Sequence, residues 1–179
     1  NYLWDRGWAE RNAGNISVDV TGLVLRSLGD SEHVSKRTLK ISHPELAHRV
    51  LLVTTSGSRF REIAAHPQKN LLMIRIAGEL DGYQVLWGGG SEESKPTSEL
   101  VSHLKIHGLL QRSNRPERAV LHTHPTSLIA LTHFKRYNDE DALNRLLFSM
   151  HPEIKVCLPE GVGFASYRPP GSDELADVT

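Results

Sequence analysis

One cysteine in 179 residues, Cys157, has no partner for an internal disulfide, so nothing points to an oxidising compartment. Charge of one sign is missing as well. The 21 Lys and Arg balance the 21 Asp and Glu, which removes any bulk electrostatic case for nucleic acid or an anionic membrane as partner. No apolar run approaches the roughly 20 residues a helix needs to cross a bilayer. The chain opens at Asn1 without an initiator methionine and stops in the acidic stretch Ser172–Asp177. It reads as a single domain over 1–179, truncated at both ends, with the question of a targeting segment left open. What is present is ordinary for a globular protein: 39% hydrophobic and 23% charged residues, enough for a sizeable core and too apolar for disorder. Ten histidines are many for this length; most read as surface residues.

The hydrophobic pattern alternates between strand and helix periods. Residues 1–11 read as the end of a helix. Ile16–Val20 alternates apolar and polar, the pattern of a half-buried strand. Residues 29–38 are polar and read as a loop, and 44–48 as a helical turn. Arg49–Thr55 is aliphatic and β-branched, a buried strand that ends in the turn Ser56-Gly57-Ser58. Leu71–Ile76 and the run after Asp81-Gly82 form a hairpin, followed by a flexible loop over 88–95. Thr97 or Ser98 is expected to cap a helix to about residue 112, with Leu100, Val101, Leu104 and Leu109 as its apolar face. A strand over 119–122, helices over 126–133 and 139–150, and a short strand at Val156-Cys157-Leu158 complete the pattern. Strands and helices in this order fit a sheet covered by helices. No internal repeat or low-complexity segment occurs.

The chemistry concentrates in four segments. His122 and His124 follow the apolar run Ala119-Val120-Leu121. Alternate side chains of a strand share a face, so both imidazoles can reach one divalent metal, and imidazole suits zinc. Two unrelated histidines would give the same spacing. With the lone cysteine far away in sequence, a catalytic site with an open position fits better than a closed structural one. Glu99 sits in the first turn of the expected helix, where the macrodipole favours any carboxylate. It follows Thr97 by two residues, not the three of a capping box, which leaves it free to be a metal ligand or a proton-transfer group. Arg11-Asn12-Ala13-Gly14-Asn15 reads equally as a plain turn or as a binding loop. Thr54–Ser58 combines hydroxyls with backbone N–H groups at a strand end, a candidate anion nest. It is not a P-loop, because no Gly-Lys-Ser/Thr follows.

Taken together in order, Arg-Asn-Ala-Gly-Asn-Ile-Ser at 11–17, Thr-Ser-Gly-Ser at 55–58, Pro-Thr-Ser-Glu at 96–99 and His-Thr-His at 122–124 resemble the class II aldolase and adducin family. Gly7–Asn12, Val85–Gly88, Pro159–Gly163 and Pro170–Glu174 add to the likeness, which covers nearly the whole chain. The resemblance implies a three-layer α/β/α sandwich with a central, mainly antiparallel sheet. It implies a zinc-dependent lyase that cleaves a ketose 1-phosphate, rhamnulose 1-phosphate, into dihydroxyacetone phosphate and lactaldehyde. His122 and His124 become zinc ligands, one ion per subunit. Glu99 becomes the acid/base residue, and Asn12, Gly14, Asn15, Ser56, Gly57, Thr97 and Ser98 hold the substrate's oxygens and phosphate. The family's third zinc histidine lies beyond Pro170–Glu174 and is not in this chain. The resemblance further implies a cytoplasmic homotetramer without nucleic-acid or membrane partners. A sugar-phosphate 4-epimerase, which tends to carry aspartate where this chain has Glu99, and a methylthioribulose-1-phosphate dehydratase share the metal chemistry. A non-catalytic adducin-like scaffold shares the fold.

Overall fold

The computed structural model describes residues 2–24 and 36–179. Its strands are β1 (Asn15–Asp19), β2 (Lys36–Thr38), β3 (Val50–Thr54), β4 (Leu71–Ile76), β5 (Gly82–Gly88) and β6 (Ala119–His122). They form one sheet in the order β2-β5-β4-β3-β1-β6. Every pairing is antiparallel, as expected for this α/β class. The expected hairpin is β4 with β5. The loop expected over 29–38 lies outside the described residues up to 35. Its last three residues are strand β2, paired with β5, so that end of the expectation is corrected.

The helices are α1 (Tyr2–Asp5), α2 (Thr21–Val24), α3 (Phe60–Ile63), α4 (Pro67–Asn70), α5 (Leu100–Arg112), α6 (Thr126–Thr132), α7 (Glu140–Met150), α8 (Ile154–Cys157) and α9 (Asp173–Val178). Among the described residues none is long and apolar enough to cross a membrane. Asp139 caps α7 by accepting from Ala142 N–H at 2.8 Å, and Ser172 caps α9 by accepting from Leu175 N–H at 3.1 Å.

The core follows from the strand period. Leu51 faces Ile74 and Val53 faces Leu72 across the β3–β4 ladder, so these four and Ile76 share one face. Leu100 and Leu104 of α5 close over them. Each such side chain contributes about 1.5–3 kcal/mol by leaving water. The rest of the α5 face differs from expectation. Leu109 is 52% exposed, whereas Ser102, His103 and His107 are buried. Helical geometry explains the substitution: His103 and His107 lie one turn apart over β1, whose Asn15, Ser17 and Asp19 are polar and buried. The surface reading of the histidines fails for these two.

Two further expectations are corrected. Neither Thr97 nor Ser98 caps α5. The N-cap is Glu99, without a side-chain cap bond, because Thr97 N–H donates to Thr54 O at 2.9 Å and draws Thr97 alongside β3. Thr97 Oγ1 instead accepts from Glu99 N–H at 3.3 Å. Residues 156–158 are not a strand. Pro152 opens a helical turn, with Ile154 N–H on His151 O and Val156 N–H on Glu153 O, and Val156 is 80% exposed. A three-residue apolar run carries too little pattern to separate the two states.

Candidate active site

The residues singled out by sequence converge at one end of the sheet. Asn12, Gly14, Asn15, Ser56, Gly57, Thr97, Ser98, Glu99, His122 and His124 all line a single cleft of about 360 Å³. The topology brings them there. β1 is flanked by β3 and β6, and its first residue, Asn15, lies opposite His122, the last residue of β6. The turn after β3 brings in Ser56 and Gly57, and Ser56 N–H donates to Lys95 O at 2.8 Å, which draws the 95–99 segment to the same end.

Gly14 is required by this packing. Its φ is +79°, and a Cβ there would lie 2.6 Å from the His122 carbonyl oxygen. Only glycine allows the 12–15 loop to lie against β6. His124, just past the strand, is fixed by its own N–H donating to Trp8 O at 2.8 Å.

The two histidines meet as their spacing implies. His122 Nε2 and His124 Nε2 are 3.1 Å apart. His122 Nδ1 lies 2.7 Å from Glu99 Oε2. If Nδ1 carries the proton and donates to this carboxylate, the lone pair of Nε2 is free for a cation, the arrangement that orients metal-bound imidazoles. Two metal–nitrogen bonds of about 2.0–2.1 Å at a tetrahedral angle place their nitrogens roughly 3.3 Å apart. The pair therefore fits two positions of one divalent ion. Among the described residues no group of three or more His, Cys, Asp or Glu converges on a metal position.

The electrostatics favour an ionised carboxylate. The hydrogen bond from His122 holds Glu99 below the ordinary glutamate range, against desolvation, with the Asn15 amide adding to the effect. Burial pushes His124 below the usual histidine value. Glu99 is thus ionised at neutral pH and free to accept a proton, as a weaker base than an ordinary glutamate.

The anion nest expected at 54–58 is partly used by the fold itself. Ser56 N–H is taken by Lys95 O and Ser58 N–H by Thr55 O. Hydroxyls and the 11–15 loop are therefore the main donors toward the cleft. Glu10, Arg11, Ala13, Thr55 and Ser58 also line it and were not assigned roles from the sequence. Arg11, at φ +52°, brings a guanidinium side chain to this lining.

Beneath the cleft lies a polar chain that sequence reading missed. Asn15 Oδ1 is 2.5 Å from His103 Nε2. His103 Nδ1 is 2.6 Å from Ser17 Oγ, and Ser17 Oγ is 2.8 Å from His107 Nε2. Burial lowers the His103 pKa to about 4 and pushes His107 down as well, so both rings are neutral at pH 7. The signal was available: histidines four apart on a helix, and polar residues two apart on a strand.

Residues 1–179 match the family model described as the class II aldolase and adducin N-terminal domain. The chain is 38% identical over 179 residues to a rhamnulose-1-phosphate aldolase of Bacteroides thetaiotaomicron, covering 99% of this chain and 65% of that protein. It is 35% identical to the rhamnulose-1-phosphate aldolases of Shigella boydii and Escherichia coli, covering 98% of this chain and 65% of each. The fold is similar to the crystal structure of a sugar-phosphate aldolase from Thermotoga maritima, with a TM-score of 0.79 and 30% identity over 98% of this chain and 69% of that one. The chain thus spans 65% of the length of the curated relatives it matches.

Proposed function

We propose, from the fact that this chain belongs to the class II aldolase and adducin family, that it carries the greater part of a metal-dependent aldolase site. The reaction is the cleavage of rhamnulose 1-phosphate to dihydroxyacetone phosphate and lactaldehyde, the substrate named for relatives 35% and 38% identical. The observation that carries the reading is the pair of Nε2 atoms 3.1 Å apart, with Glu99 on the far nitrogen of one ring.

His122 and His124 are the side chains that would hold a divalent cation, zinc by the chemistry of imidazole ligands. Once bound, such a cation supplies Lewis-acid stabilisation for negative charge on the ketose oxygens. The chain's own residues do the rest. Glu99 accepts the proton of the C4 hydroxyl as the C3–C4 bond breaks. The bonding pair moves into the C2 carbonyl, leaving an enediolate and a free aldehyde, and a proton returned to C3 completes dihydroxyacetone phosphate. Asn12 and Asn15 offer amide donors to the charged oxygens. Ser56, Thr97 and Ser98 hold the phosphate away from the reacting carbons, where binding energy is converted into orientation. The same reading takes residues 1–179 as one domain of a longer cytoplasmic homotetramer. No lysine Schiff base enters it.

The test uses the protein expressed from its complete reading frame. Bound metal is quantified, and cleavage is followed by coupling dihydroxyacetone phosphate to a reductase. One zinc per chain with chelator-sensitive cleavage supports the reading. Bound zinc without carbon–carbon cleavage moves the assignment to the epimerase or dehydratase branch. Absence of both points to a non-catalytic domain.

A further inference from the structure

The chain of Asn15, His103, Ser17 and His107 reaches the cleft only through Asn15, and its other members are shut off from solvent. His103 and His107 are 2% and 1% exposed and Ser17 is fully buried. Polar groups this deep are kept only when every partner is correct. Their hydrogen positions follow from the network itself. The Asn15 amide hydrogen-bonds the ionised Glu99 carboxylate, which can only accept, so its NH2 group faces the cleft and Oδ1 faces His103. An amide oxygen can only accept, so His103 carries its proton on Nε2. The ring being neutral, Nδ1 is an acceptor, and the Ser17 hydroxyl donates to it. The Ser17 oxygen in turn accepts from His107 Nε2–H. Each link has one donor and one acceptor.

We infer that His103, backed by Ser17 and His107, is a positioning residue that locks the Asn15 amide with its NH2 group turned into the cleft, toward Glu99 and the oxygens of a phosphorylated ketose. This rests on the function proposed above for the ketose and on geometry alone for the amide. A flipped amide would turn Oδ1 toward the Glu99 carboxylate, which cannot donate, and NH2 toward the His103 Nε2–H, disfavouring that orientation roughly ten- to hundredfold. Asn15 would then present a fixed donor without the reorganisation that a mobile side chain requires.

Two substitutions separate positioning from packing. In His103→Gln the side-chain nitrogen reaches about as far as Nε2 and restores the donor to Asn15. In His103→Asn the amide ends near Nδ1, keeping a partner for Ser17 and losing Asn15. His103→Asn is expected to lower kcat roughly tenfold or more, with KM and bound metal little changed. His103→Gln should recover most of that loss. In an Asn15→Ala background His103→Asn should add little, as coupled groups do. Ser17→Ala, a smaller perturbation, should shift kcat in the same direction. Independently of activity, the Asn15 side-chain NH2 resonances of 15N-asparagine-labelled protein should move or broaden in His103→Asn and return in His103→Gln. Equal losses of kcat and melting temperature in both His103 variants, additivity with Asn15→Ala, or unchanged NH2 resonances in His103→Asn would overturn the inference. If the unmodified protein does not cleave the ketose phosphate, the functional reading falls, and the resonances alone decide the positioning role.

Discussion

Glu99 and His122 are held together by a 2.7 Å contact, and each constrains what the other can do. The histidine keeps the carboxylate ionised, and the carboxylate turns the histidine's other nitrogen toward His124. Glu99→Gln retains an oxygen that can accept from His122 Nδ1 but removes the proton acceptor. Turnover should fall by about 10²-fold or more, while elemental analysis finds the same metal content as the parent. His122→Ala or His124→Ala should instead release the metal. Retained metal in either variant would remove the ligand assignment. The residues of the cleft were legible because short motifs carry them: His-x-His, an Asn-Ala-Gly-Asn loop and a Ser-Gly-Ser turn each announce local geometry. His103 and His107 announce only their shared helix face, through their spacing of four. Their partners on β1 are 86 and 90 residues away in sequence, and a histidine on a helix reads as a surface residue until the facing strand is known.

At the scale of elements, the site depends on how closely the 12–15 loop approaches β6. Gly14→Ala would place a methyl group 2.6 Å from the His122 carbonyl and force a φ near +79° on an L side chain. The expected cost is about 1–3 kcal/mol of stability. Because the clash is with His122 itself, metal retention should fall in parallel. Denaturant titration with metal analysis on the same samples checks both; loss of stability with full metal content would show that the loop yields rather than the strand. Strands β1, β3, β4 and β5 were legible because alternation and β-branching agree over five or more residues. The start of α5 was not, because the bond from Thr97 N–H to Thr54 O is tertiary and overrides the local capping signal. The turn at Ile154–Cys157 was missed for the opposite reason: three apolar residues satisfy either period.

For the whole molecule, the buried histidines set a pH dependence of folding. His103 titrates near 4 in the folded chain against an ordinary value of 6.5. The unfolded chain therefore binds this proton first as pH falls. The stability this group provides is complete above about pH 6.5 and is lost progressively down to about pH 4, on the order of 3 kcal/mol. His107, also lowered by burial, acts in the same direction. Below the ordinary glutamate range Glu99 adds to the loss, since its folded pKa is depressed. Urea midpoints measured from pH 7.5 to pH 4.5 should fall steeply for the parent and less steeply for His103→Gln. Parallel curves would show that His103 does not carry the effect. At this scale the residue pattern captured a sheet covered by helices, because strand identity survives without knowledge of packing, and the antiparallel pairing came only with the family resemblance. It did not capture which face of α5 carries histidine in place of leucine, which depends on the strand beneath.

β6 ends the sheet with β1 as its only pairing partner among the described residues, and it carries His122. An end strand held on one side separates from its neighbour at lower free energy than β3 or β4, which are held on both. A cation gripped by His122 and His124 binds the closed arrangement and not the open one, so occupancy and fraying of that strand become a single equilibrium. The ion proposed to polarise the sugar would then also act as the clasp at the rim of the sheet.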